Sequence, residues 1–339
     1  MSSDRITLKD IAKKLGVSPS TVSRALKGNP EIGEDTVKSV LKLAEELNYR
    51  PNTLAMSLRS KKTYTIGVIV PEIVHYFFSS VISGIEFVAY DSNYQVILCQ
   101  SNELYRQEVM NLKTLEQSQV DGVLMSFAKE TRDFGHIEEV RSKGIPVVFY
   151  DRSFAGINID SVLVDDIGGA YEATDHLIKM GCRKIVHFNG PLHLEIHAAR
   201  RNGYVDALKY HNLPIIEELI IEADSFKRAY KFTLRMLEEG VDFDAIFAVN
   251  DLTAVGAMKA LKSKGLRIPQ DVAVVGFGND STLSEMVDPS LSSVMQPGFD
   301  MGKEATNLLL NKINEKIHQE PVQIRLKTKL KVRKSSQRL

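Results

Sequence analysis

One polar segment near the amino terminus combines hydroxyl and guanidinium side chains: Ser20, Thr21, Ser23 and Arg24. Groups of this kind hydrogen-bond to the phosphates and base edges of nucleic acids. The surroundings are basic, because residues 1–62 hold 12 Lys and Arg against 7 Asp and Glu, a net charge of +5. The remainder carries −5, since 43 basic and 43 acidic residues balance overall. A small basic module on a larger acidic body is typical of a tethered nucleic-acid-binding domain.

Local signals place this polar segment on the second of three short helices. The first helix has apolar residues at helical spacing over 8–15 and ends at Gly16, a residue that tolerates left-handed backbone. The second begins with Ser18 as a hydroxyl cap and Pro19, whose ring presets φ. A third apolar pattern spans residues 34–47. Together they predict a helix-turn-helix, whose second helix enters the DNA major groove; the alternative is a three-helix interaction module without DNA.

Length and composition restrict the class of protein. With 339 residues, 43% of them hydrophobic, the chain is long enough for two or three domains. No apolar run approaches the roughly 20 residues of a membrane span, and residues 1–6 lack a signal-peptide core, so we expect neither membrane insertion nor secretion. Cys99 and Cys182 lie in apolar stretches without C-x-x-C spacing, which favours buried reduced thiols over a disulfide or zinc site.

Two motifs carry a resemblance to a known family. Residues 7–24 read TLKDIAKKLGVSPSTVSR and residues 49–55 read YRPNTLA. Both resemble the headpiece of the LacI/GalR family, and the similarity extends over nearly the whole chain. It implies that Pro19, Ser20 and Arg24 contact bases, with the Arg24 guanidinium on guanine and Pro19 adding only shape and apolar contact. The remaining DNA-contacting residues expected in the headpiece, on phosphates or beside them, are Ser18, Thr21, Ser23 and Thr7.

The segment after the headpiece is expected to act as a hinge. Residues 52–58 could form about two helical turns capped by Asn52, too short to be stable alone. In the family such a segment folds when two copies meet over the minor groove, and Ala55 is small enough for that approach. Leu58 aligns with the family's apolar wedge, which enters between base pairs and kinks the duplex. The alternative is a flexible linker in which Leu58 docks on the body.

Beyond residue 62, runs rich in β-branched residues alternate with helical patterns. The predicted strands form two similar series: 65–70, 95–99, 122–126 and 146–150, then 185–188, 219–222, 245–249 and 272–277. Helical stretches separate them, for example 78–90, 170–180 and 254–264. This alternation predicts two doubly wound parallel-sheet subdomains with a cleft between them, the type I periplasmic-binding-protein architecture. The resemblance implies three crossings between the halves, near Val164, Gln296 and Arg325.

These predictions divide the chain into an all-α headpiece, a hinge and an α/β body. The headpiece spans 1–50, the hinge 51–62 and the body 63–339. Within the body, the N-lobe comprises about 63–163 and 296–325, including a helix over 299–317. The C-lobe comprises about 164–295 and 326–339.

Polar and aromatic residues follow several predicted strands, where open α/β domains bind ligands. By family alignment the residues that line the effector cleft are Phe77, Phe78, Ser126, Asp151, Arg152, Arg200, Asn250, Asp251 and Gln296. Their paired donors and acceptors and their aromatic faces suit a sugar or another polyol. Structural alternatives remain for several of them. The two phenylalanines are equally consistent with core packing, Asp151 with a surface pair to Arg152, and Asn250 with a helix cap.

The chain departs from the family pattern at Gly278. Residues 276–280 read GFGND, whereas many members have Asp at the position of Gly278. That carboxylate often binds sugar hydroxyls in the family. Its absence here leaves the mode of pyranose binding, and the ligand itself, open.

Catalytic and metal-binding arrangements lack support. His193 and His197 are spaced i, i+4, but the first is not followed by Glu, and two histidines fall short of a zinc site. Asp165 and Asp166, interpreted as strand neighbours, would point to opposite faces. Residues 298–303 are one residue short of a P-loop. We therefore expect no enzyme, no metal and no cofactor.

The sequence predicts a cytoplasmic, nucleoid-associated transcription regulator, expected to be a repressor. A homodimer would bind a pseudo-palindromic double-stranded operator, and a small molecule, expected to be a carbohydrate, would control that affinity from the cleft. The direction of the ligand's effect is open. The competing class is a solute-binding receptor without a transcriptional role, which would need a secretion signal and no basic headpiece.

Overall fold

The computed structural model describes residues 6–26, 28–49, 62–74, 76–154, 156–278, 280–314 and 320–338. The chain separates into two compact units, Met1–Thr63 and Tyr64–Leu339. The hinge residues predicted to contact DNA, Asn52, Ala55 and Leu58, lie outside the described residues.

Within its described residues, the first unit contains three helices, α1 (Leu8–Leu15), α2 (Pro19–Leu26) and α3 (Glu34–Glu46). Gly16 ends α1 at φ 67°, and its N–H donates to the Ala12 carbonyl. Ser18 Oγ starts α2 by accepting from the Thr21 N–H at 3.0 Å. One residue from each helix is fully buried in the shared core: Ile11, Val22 and Val40. The predicted helix-turn-helix is confirmed.

The second unit, the body, alternates strands and helices. Its first series is β1 (Thr65–Val70), α4 (Tyr76–Asp91), β2 (Gln95–Gln100), α5 (Tyr105–Gln117), β3 (Gly122–Met125), α6 (Gly135–Ser142), β4 (Val147–Tyr150) and β5 (Asp160–Val164). Its second series is α7 (Asp166–Lys179), β6 (Ile185–Asn189), α8 (Glu195–Tyr210), a 3-10 turn (Glu217–Leu219), β7 (Ile220–Glu222), α9 (Phe226–Glu238), β8 (Ala245–Ala248), α10 (Asp251–Ser263), β9 (Ala273–Gly278), α11 (Ser281–Met286) and β10 (Ser292–Met295). The remaining elements are α12 (Gly298–Asn314), β11 (Gln323–Leu326) and β12 (Lys329–Lys331).

The strands form two six-stranded sheets, with orders β11-β5-β4-β3-β1-β2 and β12-β10-β9-β8-β6-β7. The paired strands run parallel, apart from β12, which is antiparallel to β10. The chain passes from one sheet to the other after β5, after β10 and after β11. The predicted fold class, a helical headpiece and an α/β body of two doubly wound parallel-sheet lobes, is confirmed.

Each sheet is covered by a hydrophobic core on both faces. On the N-lobe sheet, α4 and α12 pack closely because small residues line their contact. A Cβ added to Gly84 would lie 2.1 Å from the Phe299 carbonyl oxygen, and one added to Gly302 would lie 2.1 Å from that of Val81. Within the described ranges, none of the helices is both long and apolar enough to cross a membrane.

Candidate functional site

The polar run on α2 forms an exposed face of the headpiece. Ser18, Pro19, Ser20 and Arg24 are exposed, whereas Thr21 and Ser23 are half-buried. Ser18 Oγ lies 2.7 Å from Ser20 Oγ and 2.8 Å from Thr21 Oγ1. The hydroxyls at the start of α2 therefore form one hydrogen-bonded group at the end of the helix that enters the groove in helix-turn-helix proteins.

Among the described residues, Arg24 has one side-chain partner, and that contact is at the surface. Its Nη1 donates to Glu31 Oε2 at 3.3 Å, and the two side chains are 58% and 72% exposed. A pair this exposed contributes about 0–1 kcal/mol, so a DNA acceptor competes with it easily. Thr7 is also exposed, but it caps α1: its Oγ1 accepts from the Asp10 N–H at 3.4 Å and donates to Asp10 Oδ2 at 2.6 Å.

In the body, the carboxyl ends of the two sheets face each other. Lys129, in the loop after β3, donates from Nζ to Asp224 Oδ2, after β7, at 2.5 Å. The main-chain oxygen of the same lysine lies 2.9 Å from His193 Nε2 of the C-lobe. Leu194 is 1% exposed and packs in a core formed otherwise by N-lobe residues. The space between the two sets of strand ends, here called the cleft, is where open α/β domains bind ligands.

The buried cations of the cleft are each matched by a carboxylate. Arg152 donates from Nη1 and Nη2 to the two oxygens of Glu103, both at 2.8 Å. Arg200 donates from Nε to Asp166 Oδ1 at 2.8 Å and from Nη1 to the Val249 carbonyl at 2.6 Å. Its guanidinium also lies 3.8 Å above the centre of the Phe277 ring. Two-point and stacked contacts of this kind hold arginine rigidly.

This arrangement corrects the interpretation of Asp165 and Asp166 as strand neighbours. Asp165 precedes α7 and caps it, accepting from the Gly168 N–H at 2.9 Å. Asp166 is the first residue of that helix, where it pairs with Arg200. Burial raises the pKa of Asp166, against the opposing effect of the arginine. The pair of aspartates therefore starts a helix and fixes an arginine.

Several buried polar atoms at the strand ends have no protein hydrogen-bond partner among the described residues: Ser126 Oγ, Asn189 Oδ1, Gln296 Nε2 and Arg152 Nε. Ser126 follows β3, Asn189 ends β6 and Gln296 follows β10. Leaving a buried polar group unpaired costs about 1–3 kcal/mol, and native proteins rarely do so without a reason. These atoms are consequently candidates for hydrogen bonds to a ligand.

Asp151 lies directly after β4 with a left-handed backbone, φ 66°. Its side chain is buried, and its Oδ2 is 3.9 Å from Arg152 Nε. Burial raises the pKa of Asp151 to about 6, although the charge of Arg152 opposes this shift. A non-glycine residue held in this conformation is often part of a functional site.

A second buried carboxylate lies beside Gly278. Asp251, the first residue of α10, accepts from Ser293 Oγ at 2.5 Å and from the Asp280 N–H at 2.8 Å. Burial raises its pKa to about 6, while the Ser293 hydrogen bond lowers it. A Cβ at position 278 would lie 3.6 Å from Asp251 Oδ2 and 3.9 Å from Gln296 Oε1. Asp251 thus places a carboxylate next to the position where the family's usual one is missing.

The other predicted ligand residues differ in their surroundings. Phe77 is partly buried against the N-lobe core, with its ring 5.2 Å from that of Phe78. Phe78 is 6% exposed and belongs to that core, which is the structural alternative left open for it. Asn250 caps α10 by accepting from the Thr253 N–H at 2.8 Å, and its Nδ2 donates to the Asp224 carbonyl at 3.0 Å.

The sequence analysis did not identify three residues that shape the cleft: Glu103, Asn189 and Asp224. Asn189 was detectable, since it directly follows the predicted strand over 185–188. Glu103 and Asp224 had no local signal, because their basic partners lie 49 and 95 residues away in the chain.

The two histidines weighed as a metal pair bind main-chain carbonyls. His193 Nε2 is 2.9 Å from the Lys129 oxygen, and His197 Nδ1 is 3.1 Å from that of Pro191. Burial lowers the pKa of His197 to about 3. Across the part of the chain that the structure describes, three or more His, Cys, Asp or Glu never group in a way that could hold a metal ion.

Both units of the chain match models of known protein families. Residues 7–52 match the model of "Bacterial regulatory proteins, lacI family". Residues 63–334 match that of "Periplasmic binding proteins and sugar binding domain of LacI family". Catabolite control protein A of Priestia megaterium is 36% identical over 312 residues, covering 91% of this chain and 93% of that protein.

Two solved structures extend the similarity over 98% of this chain. The transcriptional regulator CelR in complex with cellobiose has 30% identity and a TM-score of 0.74, and all of it is covered. The lac repressor dimer bound to operator and the anti-inducer ONPF has 25% identity and a TM-score of 0.86, with 99% covered. With its helix-turn-helix headpiece and two-lobed body, the chain belongs to the LacI family of bacterial regulatory proteins, and it is a DNA-binding transcription regulator and not an enzyme.

Proposed function

We propose that α2 makes the sequence-specific contacts of this regulator. Arg24 contacts guanine, with Ser20 and Pro19 beside it on the base edges. The hydroxyls of Ser18, Thr21 and Ser23, together with Thr7, contact phosphates. The observation in support is that these polar groups lie on the surface of the headpiece and that Arg24 has only a weak competing partner.

The hinge over residues 51–62 completes the DNA contact in this proposal. Asn52 caps a short helix, Ala55 allows two copies to approach, and Leu58 enters the minor groove. The chain acts as a homodimer on a two-fold operator, as the lac repressor does in the complex described above. Its place of action is then the cytoplasm, on the nucleoid.

We further propose that the cleft binds an uncharged sugar. The contacts are Phe77, Ser126, Asp151, Arg200, Asn250 and Gln296, to which we add Asn189; Phe78 is left out because it is core. The observation that carries this proposal is that the charged and the neutral polar groups of the cleft differ in their partners. The cations are already matched by carboxylates, whereas Ser126, Asn189 and Gln296 offer neutral donors and acceptors that suit hydroxyl groups.

The charge of the cleft supports the same ligand class. Asp151 and Asp251 add two carboxylates to the ones that accept hydrogen bonds from Arg152, Arg200 and Lys129. A phosphate or carboxylate on the ligand would therefore be placed among like charges without a spare buried cation. Cellobiose in the CelR complex is an uncharged sugar of the kind proposed.

The proposal is tested in two steps on the full chain. Selection from random duplexes defines a preferred sequence, which wild type should bind more tightly than random competitor, whereas Arg24→Ala should lose the preference.

A thermal-shift screen then compares matched sugars, such as glucose with glucose 6-phosphate and ribose with ribose 5-phosphate. We expect stabilisation by an uncharged member and not by its phosphate. Absence of any preferred duplex would contradict the DNA-binding part, and stabilisation by a phosphorylated sugar alone would contradict the ligand class.

A further inference from the structure

One ion pair joins the two lobes of the body directly. Lys129 Nζ lies 2.5 Å from Asp224 Oδ2, and the two side chains are 35% and 8% exposed. Burial opposes ionisation of Asp224, but the hydrogen bond and charge of Lys129 outweigh it and hold the pKa of that carboxyl below its ordinary value. Asp224 is thus ionised at neutral pH, in surroundings drier than those of a typical surface pair.

On the N-lobe side, the loop that carries Lys129 is fixed by buried carboxylates. Glu103 Oε2 accepts from the Lys129 N–H at 2.6 Å, while its carboxylate receives the two-point contact of Arg152. Glu108, fully buried, accepts from Thr131 Oγ1 at 2.9 Å and also from the Ala128 N–H. The lysine therefore projects from a rigid loop. Glu103 connects this loop to Arg152, the residue that follows Asp151.

On the C-lobe side, Asp224 is connected to the proposed ligand site through Asn250. The amide Nδ2 of Asn250 donates to the Asp224 carbonyl at 3.0 Å, and its Oδ1 caps α10. The same helix begins with Asp251, beside Gly278 and Gln296. Asn250 of the proposed ligand site consequently holds the Asp224 end of the pair. Glu103 connects the Lys129 end to Arg152, the neighbour of Asp151 in that site.

We propose that Lys129 and Asp224 are positioning residues that hold the lobes closed and thereby set the affinity of the cleft for its ligand. The proposal rests on the proposed function in so far as a ligand binds between the lobes. A ligand that contacts both lobes and an ion pair that joins them favour the same closed arrangement. When the pair is lost, part of the ligand's binding free energy is spent on closing the lobes, so its apparent affinity falls.

The test uses the full chain with Lys129→Gln, Asp224→Asn and the double variant, and Lys143→Gln as a matched control. Lys143 pairs with Glu116 at 2.7 Å within the N-lobe and is 42% exposed. Amide hydrogen exchange is measured without ligand or DNA over residues 193–197 and 223–225, where the C-lobe meets the N-lobe. We expect exchange about fivefold faster or more in both single variants, no further increase in the double variant, and no change in the control.

Unchanged exchange in the single variants, or effects that simply add in the double variant, would overturn the proposal. Because the exchange measurement uses neither DNA nor ligand, it stays decisive even where the proposed function fails.

Ligand affinity is the second readout, with cellobiose, D-ribose and D-glucose as probes. A probe that stabilises wild type should bind each single variant about five- to fiftyfold more weakly. Equal affinity for wild type and the variants would overturn the role in ligand binding.

Discussion

The headpiece face and the cleft use similar side chains in opposite ways. On α2, Arg24 and the hydroxyls near it are in contact with solvent, and the arginine has a weak partner that is itself 72% exposed. In the cleft, Arg152 and Arg200 are buried, and carboxylates and carbonyls hold them from several directions. The same guanidinium group is therefore available for a new partner in one region and committed to the fold in the other.

The difference follows from the charge of each binding partner, DNA for the headpiece and the ligand for the cleft. DNA supplies its own dense negative charge, so a headpiece arginine gains by staying hydrated and only weakly paired until it binds the duplex. An uncharged ligand supplies only hydroxyls, so any charge left unmatched in the cleft would cost several kcal/mol per ion. Arginine in the cleft consequently stays paired with a carboxylate, and recognition of the ligand depends mainly on neutral atoms. Four changes test this contrast.

The largest effect is expected from Asp166→Asn. This change leaves Arg200 charged and buried without its carboxylate, which destabilises a protein by about 3–5 kcal/mol. Denaturant unfolding of the body measures it. The matched control is Glu239→Gln, which removes the partner of Arg235 in an exposed pair and should change stability by no more than about 0.5 kcal/mol. Similar losses in the two variants would erase the contrast between buried and exposed pairs.

Asp151→Asn should change how stability depends on pH. The folded-state pKa of Asp151 is about 6 against an ordinary 3.8, so the protonated form favours the fold. Its contribution is full below about pH 4 and is lost as the pH rises through 6. The free energy of unfolding of the variant, minus that of wild type, should therefore rise by about 3 kcal/mol at most between pH 4 and 7. A difference in unfolding free energy that does not depend on pH would show that folding does not raise the pKa of Asp151.

Arg24→Ala should weaken binding to the selected operator by about 1–3 kcal/mol with little change in headpiece stability. The guanidinium is exposed, so its removal leaves no buried group unpaired. Fluorescence anisotropy with operator and random duplexes separates loss of specificity from loss of general affinity. Glu31→Gln, which frees Arg24 from its partner, is the control and should bind the operator at least as tightly as wild type. Equal losses on both duplexes would mean that Arg24 contacts only phosphate.

The smallest effect is expected from Ser18→Ala, which removes the cap of α2. Loss of such a cap costs about 0.5–2 kcal/mol, here confined to the headpiece. Ser18→Asn retains a side-chain oxygen and should restore most of the stability. Thermal unfolding followed by circular dichroism measures both variants. If the Asn variant were no more stable than the Ala variant, the hydroxyl would act by another route than capping.

The sequence allowed prediction of those elements whose signals are local. Gly16, Ser18 and Pro19 define the turn of the headpiece, and runs of β-branched residues placed eight strands within about one residue of their observed ends. The helices α7 and α10 begin several residues earlier than predicted, at Asp166 and Asp251, because a polar first turn hides the apolar periodicity.

What escaped prediction depends on contacts between distant parts of the chain. The strands β10 and β12 are three or four residues long, and one is rich in serine; they are strands because the C-terminal segment packs there, with Ser335 Oγ accepting from the Ser292 N–H at 2.8 Å. Likewise, the pairing of Arg152 with Glu103 and of Lys129 with Asp224 joins residues from separate loops. No spacing rule within one element reports such pairs, so the matched charges of the cleft emerged only from the structure.

The most direct test is a single titration of the selected operator, with and without the sugar that stabilises the body, using wild type and Gln296→Leu. We expect the sugar to change the operator affinity of wild type by about five- to 150-fold, the usual range of coupling between two sites. Gln296→Leu should bind the operator as wild type does without sugar but should no longer respond at the same sugar concentration. A sugar that occupies the cleft of wild type and leaves operator affinity unchanged would show that the cleft does not control DNA binding.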